Sequence, residues 1–205
     1  MNFSKELEDI IASIGDKKPT LFLHACCAPC SSYVLEYLSS HFDITLFFYN
    51  PNIFPADEYN KRLNELKRLV KEMGLDIKII EGEYNSDEFF EIAKGLENLP
   101  EGGERCKKCY RLRLQKTAQL ANSLGYDYFC TTLSISPYKN AEWINEIGNA
   151  LAGELEVDFL PSDFKKKNGY KRSIELSREY NLYRQNFCGC VFSKAKAEEK
   201  IKHEG

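Results

Sequence analysis

The chain has 205 residues, of which 43% are hydrophobic, and a net charge of -3 at pH 7, the composition of an ordinary folded domain. Its first residues are polar and acidic, unlike a signal peptide, and no apolar run approaches the roughly 20 residues of a membrane helix. We therefore expect a single cytoplasmic domain over residues 1–205 that does not enter a membrane, and the net charge alone gives no signal for nucleic acid.

Helical and strand patterns alternate along the chain. In chain order we predict a helix at 4–14, a strand at 21–25, a helix at 31–38, a strand at 44–49, a helix at 56–73, a strand at 77–80, a helix at 86–94 capped by Ser86, a helix at 106–125, a strand at 128–132, a loop at 133–138, a helix at 140–151, a strand at 155–159, and helices at 170–180 and 193–202. This alternation predicts an α/β fold, a Rossmann-like doubly wound parallel sheet with helices on both faces.

Seven of the eight cysteines lie in three short segments, Cys26-Cys27-x-x-Cys30, Cys106-x-x-Cys109 and Cys188-Gly189-Cys190. In a reducing compartment such clusters indicate metal ligands or catalytic thiols, and not a disulfide framework. Thiolates select zinc or iron–sulfur centres, and a structural zinc takes only four ligands. Seven thiols therefore favour an iron–sulfur cluster with further thiols or a second metal beside it.

The first cysteine segment lies on a strand-to-helix turn. Pro29 suits a first helical turn, where the free N–H groups and the helix dipole stabilise thiolates. In a sheet of strand order 3-2-1-4-5, this turn and the segment 131–136 flank the position where the strand order reverses, which is where ligands bind. We therefore expect the cysteine-rich metal site at the carboxyl end of the strands, with Ser134 and Ser136 beside it.

Several polar residues have both a structural and a functional interpretation. Tyr49 and Asn50 follow the second strand and belong either to the crevice or to a turn, and Asp163 is either a proton donor, a metal ligand or a turn residue. The cations Arg105, Lys107, Lys108, Arg111 and Arg113, and the second patch Lys165, Lys166, Lys167, Lys171 and Arg172, are either solvated faces or contacts to RNA phosphates. His24 and Cys130 lie in buried strands, and we expect both in the core.

Five segments together resemble the QueH type of epoxyqueuosine reductase, over nearly the whole chain. They are residues 24–31 (HACCAPCS), 49–53 (YNPNI), 104–109 (ERCKKC), 131–139 (TTLSISPYK) and 183–190 (YRQNFCGC). The resemblance implies a cobalamin-independent oxidoreductase that reduces the epoxide of epoxyqueuosine, at the wobble position of tRNA, to queuosine in the last step of queuosine biosynthesis. It further implies a HUP-like fold, a 4Fe-4S cluster with an additional iron, an anticodon loop as partner and an external electron donor.

From the residues and the resemblance together, we predict three groups of site residues. The metal ligands are Cys26, Cys27, Cys30, Cys106, Cys109, Cys188 and Cys190. The catalytic residues are Cys27 and Asp163, and the substrate-binding residues are Tyr49, Asn50, Arg105, Ser134, Ser136 and Lys139.

Two alternatives remain open at this point. An iron–sulfur-dependent tRNA sulfur-transferase of the ATP-using HUP type would need a glycine-rich phosphate loop, and residues 26–31 contain no glycine. A zinc-held RNA-binding module would contain zinc and be colourless.

Overall fold

The computed structural model describes residues 2–204, and the side chains of residues 2–199. The helices are α1 (Phe3–Ile14), α2 (Ala28–Leu38), α3 (Ala56–Glu72), α4 (Ser86–Ala93), α5 (Glu104–Leu124), α6 (Ala141–Glu154), α7 (Gly169–Glu179) and α8 (Val191–Glu204). The strands are β1 (Thr20–His24), β2 (Asp43–Phe48), β3 (Lys78–Glu81), β4 (Tyr128–Thr131) and β5 (Asp158–Phe159). None of the described helices is long and apolar enough to cross a membrane.

The strands form a parallel sheet in the order β3-β2-β1-β4-β5. The predicted strand order is therefore confirmed. β1 pairs with β2 on one side and with β4 on the other. The chain therefore builds the sheet outward from β1 to β3 in one direction, and then returns to add β4 and β5 in the other direction. Loops leaving the carboxyl ends of β1 and β4 consequently diverge and leave a crevice between them.

Both faces of the sheet are covered. Leu21, Leu23 and Cys130 pack on the face covered by α2 and α3, whereas Phe22 and Phe129 pack on the opposite face with α5 and α6. This double burial is the reason why the central strands have nearly continuous apolar sequences. It also places Cys130 in the core, as expected, where its thiol donates to the Leu160 carbonyl at 3.2 Å.

The local structure departs from the sequence prediction at four places. Helix α2 begins at Ala28, because Cys27 is its extended N-terminal cap and Pro29 fits its first turn. The cap of α4 is Asn85 and not Ser86, since the Asn85 side chain accepts from Asp87 N at 3.0 Å. The segment Thr132–Ile135, predicted as the last strand residue followed by loop, is a 3-10 helix. Strand β5 has only two residues because it pairs with β4 alone, at the edge of the sheet.

Candidate metal centre

A cavity of about 840 Å³ opens at the carboxyl edge of the sheet. The loops that follow β1, β2 and β4 contribute to its wall, together with the segment before α8. Its volume lies in the range of sites that hold small ligands, and it occupies the position predicted from the strand order. Lining residues with chemical function include Cys26, Cys27, Cys30, Cys188, Arg113 and Lys139.

Cys26, Cys27 and Cys30, here called the triad, bring their sulfurs together at this cavity. The three Sγ atoms lie within 4.8 Å of one another, and those of Cys26 and Cys27 are 3.8 Å apart. Sulfurs that share a tetrahedral metal at about 2.3 Å lie about 3.8 Å from one another. The adjacent Cys26 and Cys27 therefore converge, and the triad has the spacing of ligands to a common metal centre.

Hydrogen bonds among the triad thiols shift their pKa values in different directions. Thiol donors at Cys26 and Cys30 hold the pKa of Cys27 well below its usual value, and the charge of Arg62 acts in the same direction. The same contacts raise the pKa of Cys30. Cys27 is thus the first of the three to become a thiolate, the form that binds metal.

The second group, here called the tetrad, comprises Cys106, Cys109, Cys188 and Cys190. Cys106 and Cys109 lie in the first turns of α5, and Cys109 packs with Cys190 against Phe89. Burial, against the opposing charge of Arg113 and together with the charges of the other three tetrad members, raises the pKa of the Cys109 thiol to about 12. The fold thus gathers four thiols from two distant segments into one neighbourhood.

One buried and one half-buried cation accompany these thiols. Arg113 is only 2% exposed, donates from Nε to the Cys109 carbonyl at 3.2 Å and lines the same cavity as the triad, so it lies beside both groups of cysteines. Lys139 donates from Nζ to Cys188 Sγ at 3.0 Å. Burial lowers the pKa of Lys139, but the neighbouring Cys188 and Tyr110 raise it above its usual value overall.

This chemistry fits an iron–sulfur centre. A cluster held by thiolates carries net negative charge, and burying that charge requires compensating cations. Arg113 and Lys139 supply such compensation, whereas a donor set of sulfur alone excludes hard ions such as Mg²⁺ or Ca²⁺.

Arg62 fixes the loop that carries Cys188. Its guanidinium is buried, pairs with Glu58 at 2.7 Å and donates from Nη1 to the Cys188 carbonyl at 3.0 Å. Gly189 has φ +123°, and a Cβ there would lie 3.0 Å from both Arg62 Nη1 and Ile53 Cγ1. The Cys-Gly-Cys loop therefore requires a glycine, both for its backbone conformation and for the close approach of Arg62.

His24 lies below the triad and is fully buried. Its Nε2–H donates to the Tyr49 carbonyl at 3.0 Å, so Nδ1 accepts from the Thr131 hydroxyl at 2.8 Å. Burial, reinforced by the charge of Arg113, lowers the pKa of His24 to about 4. The imidazole is neutral and structural, in agreement with its interpretation as a core residue.

Three predicted substrate-binding residues line the cavity, namely Asn50, Ser136 and Lys139. Asn50 is held in place because its Nδ2 donates to the Ala25 carbonyl at 2.9 Å, next to Cys26. The structure therefore brings these residues together with the triad and with Cys188.

The structure places four other predicted residues outside the lining of this cavity. Tyr49 is buried and donates from Oη to Glu88, and Arg105 donates to the carbonyls of Leu96, Glu97 and Leu99 at 2.8 Å each. Ser134 is buried 3.0 Å from the Ser162 hydroxyl, and Asp163 pairs with Lys165 at 2.7 Å. The roles predicted for these four residues stay predictions.

Several cations of the two predicted basic patches contact other residues. Lys107 lies over the Trp143 ring, and Arg111 is 3.9 Å from Glu154. In the second patch Lys167 pairs with Glu8 and Arg172 with Glu36. The exposed cations that line the cavity are instead Arg184 and Lys196.

Sequence reasoning missed several cavity residues, among them Arg62, Tyr138 and Gln185. Tyr138 is 76% exposed beside Lys139, and its place next to a proline in a predicted loop is a signal that could have identified it. No local pattern distinguishes Arg62 from the other cations of α3.

Comparisons with known proteins bear on this site. The family model described as epoxyqueuosine reductase QueH matches residues 21–196. Proteins of that name from Streptococcus pyogenes and Staphylococcus epidermidis are each 44% identical to this chain, covering 94% and 96% of it and 78% and 86% of their own lengths. The relative from Thermotoga maritima is 37% identical, with coverage of 88% and 93%.

A solved structure shares the fold. It is the U34-tRNA thiolase NcsA from Methanococcus maripaludis with its [4Fe-4S] cluster, at TM-score 0.53 and 12% identity, covering 93% of this chain and 67% of that one. At this identity the likeness establishes the α/β architecture alone.

Proposed function

The chain belongs to the epoxyqueuosine reductase QueH family, and we propose that it reduces epoxyqueuosine in tRNA to queuosine at the cysteine-lined cavity. It is an oxidoreductase. The reaction removes the epoxide oxygen as water, consumes two electrons and two protons, and leaves an alkene in the cyclopentane ring. The alternative of an ATP-using sulfur-transferase is not favoured, because the matched family and relatives are reductases.

The observation that carries the proposal is the convergence of the triad, Cys188, the buried Arg113 and the half-buried Lys139 on one cavity. We assign the metals to the seven cysteines of triad and tetrad. When bound, an iron–sulfur cluster supplies electrons one at a time, and an iron with an open position polarises the epoxide oxygen. We propose both the cluster and this additional iron.

The chain's own residues prepare the cavity for this chemistry. Arg113 and Lys139 compensate the negative charge of the thiolates, and Arg62 holds Cys188 in position. We propose that Cys27, which lines the cavity beside Cys26 and Cys30, acts at the reacting atoms. Asn50 and Ser136 contribute polar groups to the same wall.

The rim of the cavity suits an anticodon loop, whose unstacked bases can enter a pocket. Tyr138 is exposed beside the opening and offers a ring on which a neighbouring base stacks. Arg184 and Lys196 are exposed on the cavity wall and supply cations for flanking phosphates. We propose that the RNA approaches from this side.

The test is anaerobic preparation followed by assay with tRNA that contains epoxyqueuosine. We expect brown protein with at least four irons and about four sulfides per chain. With dithionite standing in for the external electron donor and no added cobalamin, the tRNA should lose one oxygen atom per epoxide, measured by mass spectrometry. When no other protein is added to the assay, it also tests whether the single domain over residues 1–205 suffices for the reaction. Stoichiometric zinc without sulfide, or no conversion by iron-loaded protein, would contradict the proposal.

A further inference from the structure

Two carboxamides of the cavity wall lack protein partners. In the described part of the chain, the buried side-chain oxygens without a hydrogen bond are Asn50 Oδ1, Asn52 Oδ1, Asp163 Oδ1 and Gln185 Oε1. Asp163 is accounted for by its ion pair with Lys165. The Asn50 side chain is fixed through its Nδ2, which donates to the Ala25 carbonyl. In contrast, Asn52 and Gln185 make no side-chain hydrogen bond among the described residues, and both line the cavity.

Such groups are costly in a folded protein. A buried acceptor without a partner destabilises the fold, and native structures satisfy nearly all buried polar atoms. Asn52 is 2% exposed, so bulk solvent does not satisfy its oxygen. Two unpartnered carboxamides in one wall therefore point to a ligand that donates hydrogen bonds there.

The two carboxamides come from loops that are tied together beside the cysteines. Phe54 N donates to the Gly189 carbonyl at 3.0 Å, which joins the loop of Asn52 to the segment that contains Gln185 and Cys188. Asn50, two residues before Asn52, is bonded to Ala25 next to the triad. A group bound by Asn52 and Gln185 therefore lies close to the thiols.

The substrate of the proposed function has suitable donors at that position. Its cyclopentane ring carries hydroxyl groups on the same ring as the epoxide, and a carboxamide oxygen accepts from a hydroxyl. We propose that Asn52 and Gln185 are positioning residues that accept hydrogen bonds from these ring hydroxyls and so direct the epoxide toward the cysteines. This inference rests on the proposed function.

The experiment compares Asn52→Leu and Gln185→Leu with Asn186→Leu, an exposed carboxamide on the same cavity. For iron-loaded protein acting on an anticodon stem-loop that carries epoxyqueuosine, each of the first two changes should lower kcat/KM about tenfold or more, since a donor of the substrate loses its acceptor. Asn186→Leu should leave kcat/KM unchanged. Iron content and the unfolding midpoint should not fall, because no protein hydrogen bond is removed.

A substrate arm identifies the group that is bound. A synthetic stem-loop whose epoxide ring lacks the hydroxyls should be a poor substrate for the wild type, and the Leu variants should lose little further activity on it. Asn52→Asp and Gln185→Glu, which keep an acceptor oxygen, should restore part of the activity on the natural ring. Variants that lose as much activity on the ring without hydroxyls as on the natural one, or that lose none on either, would overturn the assignment.

A binding arm separates this inference from the proposed function. The affinity of iron-loaded protein for stem-loops with and without the modified ring is measured directly, without turnover. Wild type should prefer the modified ring, and the Leu variants should lose that preference. Absence of reduction by wild type would refute the proposed function, whereas an equal preference in wild type and variants would refute the hydroxyl contacts.

Discussion

The two ends of the sheet differ in whether their polar side chains find hydrogen-bond partners within the protein. At the amino end, Asp127 Oδ2 accepts from Thr20 N at 2.8 Å and from Thr20 Oγ1 at 2.7 Å, while Thr20 Oγ1 accepts from Asp127 N at 2.9 Å. At the carboxyl end, three thiol sulfurs lie within 4.8 Å of one another, and the carboxamide oxygens of Asn52 and Gln185 have no hydrogen-bond partner among the described residues. The hydrogen bonds at the amino end are made within the protein and hold β1 beside β4. At the carboxyl end, the thiols and carboxamide oxygens are available to bind ligands.

The largest expected effect is on metal content, and it separates two buried cysteines. Burial raises the pKa of both Cys109 and Cys130 to about 12, but only Cys109 has other thiols beside it. Cys109→Ser should abolish colour, iron and activity, because a hydroxyl is a poor ligand for a soft metal. Serine at Cys106, Cys188 or Cys190 should likewise lose iron or activity.

Cys130→Ser is the matched control, because Cys130 is also a buried cysteine and lies in the core away from the other thiols. It should retain iron and activity and lose only stability, because it places a hydroxyl in the core. Iron and sulfide analysis checks both variants. Bleaching by Cys130→Ser, with retention of colour in the four tetrad variants, would contradict the assignment of the ligands.

The next effect concerns the buried cation beside triad and tetrad. Arg113→Met keeps an unbranched apolar stem but removes the charge, so the negative centre is harder to bury and to reduce. We expect a several-fold loss of bound iron and a midpoint potential lowered by tens of millivolts, measured by potentiometric titration. Arg68→Met, which removes a cation paired with Glu65 and Glu72, should change neither quantity.

The third effect concerns tRNA binding. Arg184→Gln combined with Lys196→Gln should flatten the dependence of log affinity on log salt by about 0.7–0.9 units per lost phosphate contact. Lys107→Gln with Lys108→Gln is the comparison, since these cations lie on α5 outside the cavity lining. The tRNA affinity of both double variants, measured across a salt series, decides whether the RNA contacts the cavity wall or α5. A flatter slope for the second pair alone would place the RNA on α5.

The smallest effect is at the amino end. Hydrogen bonds from Thr20 hold the pKa of Asp127 below its usual value, so the carboxylate stabilises the fold above the unfolded pKa, near 3.8, and this contribution disappears as pH falls through the lower folded value. Asp127→Asn should lower stability at pH 7 by less than about 1 kcal/mol, because the pair is exposed. Denaturant unfolding at pH 7 and pH 3 measures the difference in stability between wild type and variant, which should shrink at the lower pH. Iron content, measured at pH 7, should be the same in both proteins.

The sequence predicts the parts of this molecule that depend on local patterns. Apolar runs with glycine and proline boundaries locate the strands, and thiol spacing locates the ligands. Arg113 could have been singled out, because Cys106, Cys109 and Arg113 have the i, i+3, i+7 spacing of one helix face. Arg62 could not, because it meets Cys188 at a separation of 126 residues and nothing in α3 encodes that contact. The unpartnered carboxamides are visible only when all the neighbouring groups are in place.

The contact between Arg62 and the Cys188 carbonyl also has a consequence for how the protein is made. During synthesis at about 5–20 residues per second, Cys188 emerges on the order of 10 seconds after Arg62. The triad, by contrast, lies within one turn and can form from a nascent chain. We therefore expect the tetrad to remain incomplete until the last loop docks on α3, so that cluster insertion follows translation and does not accompany it.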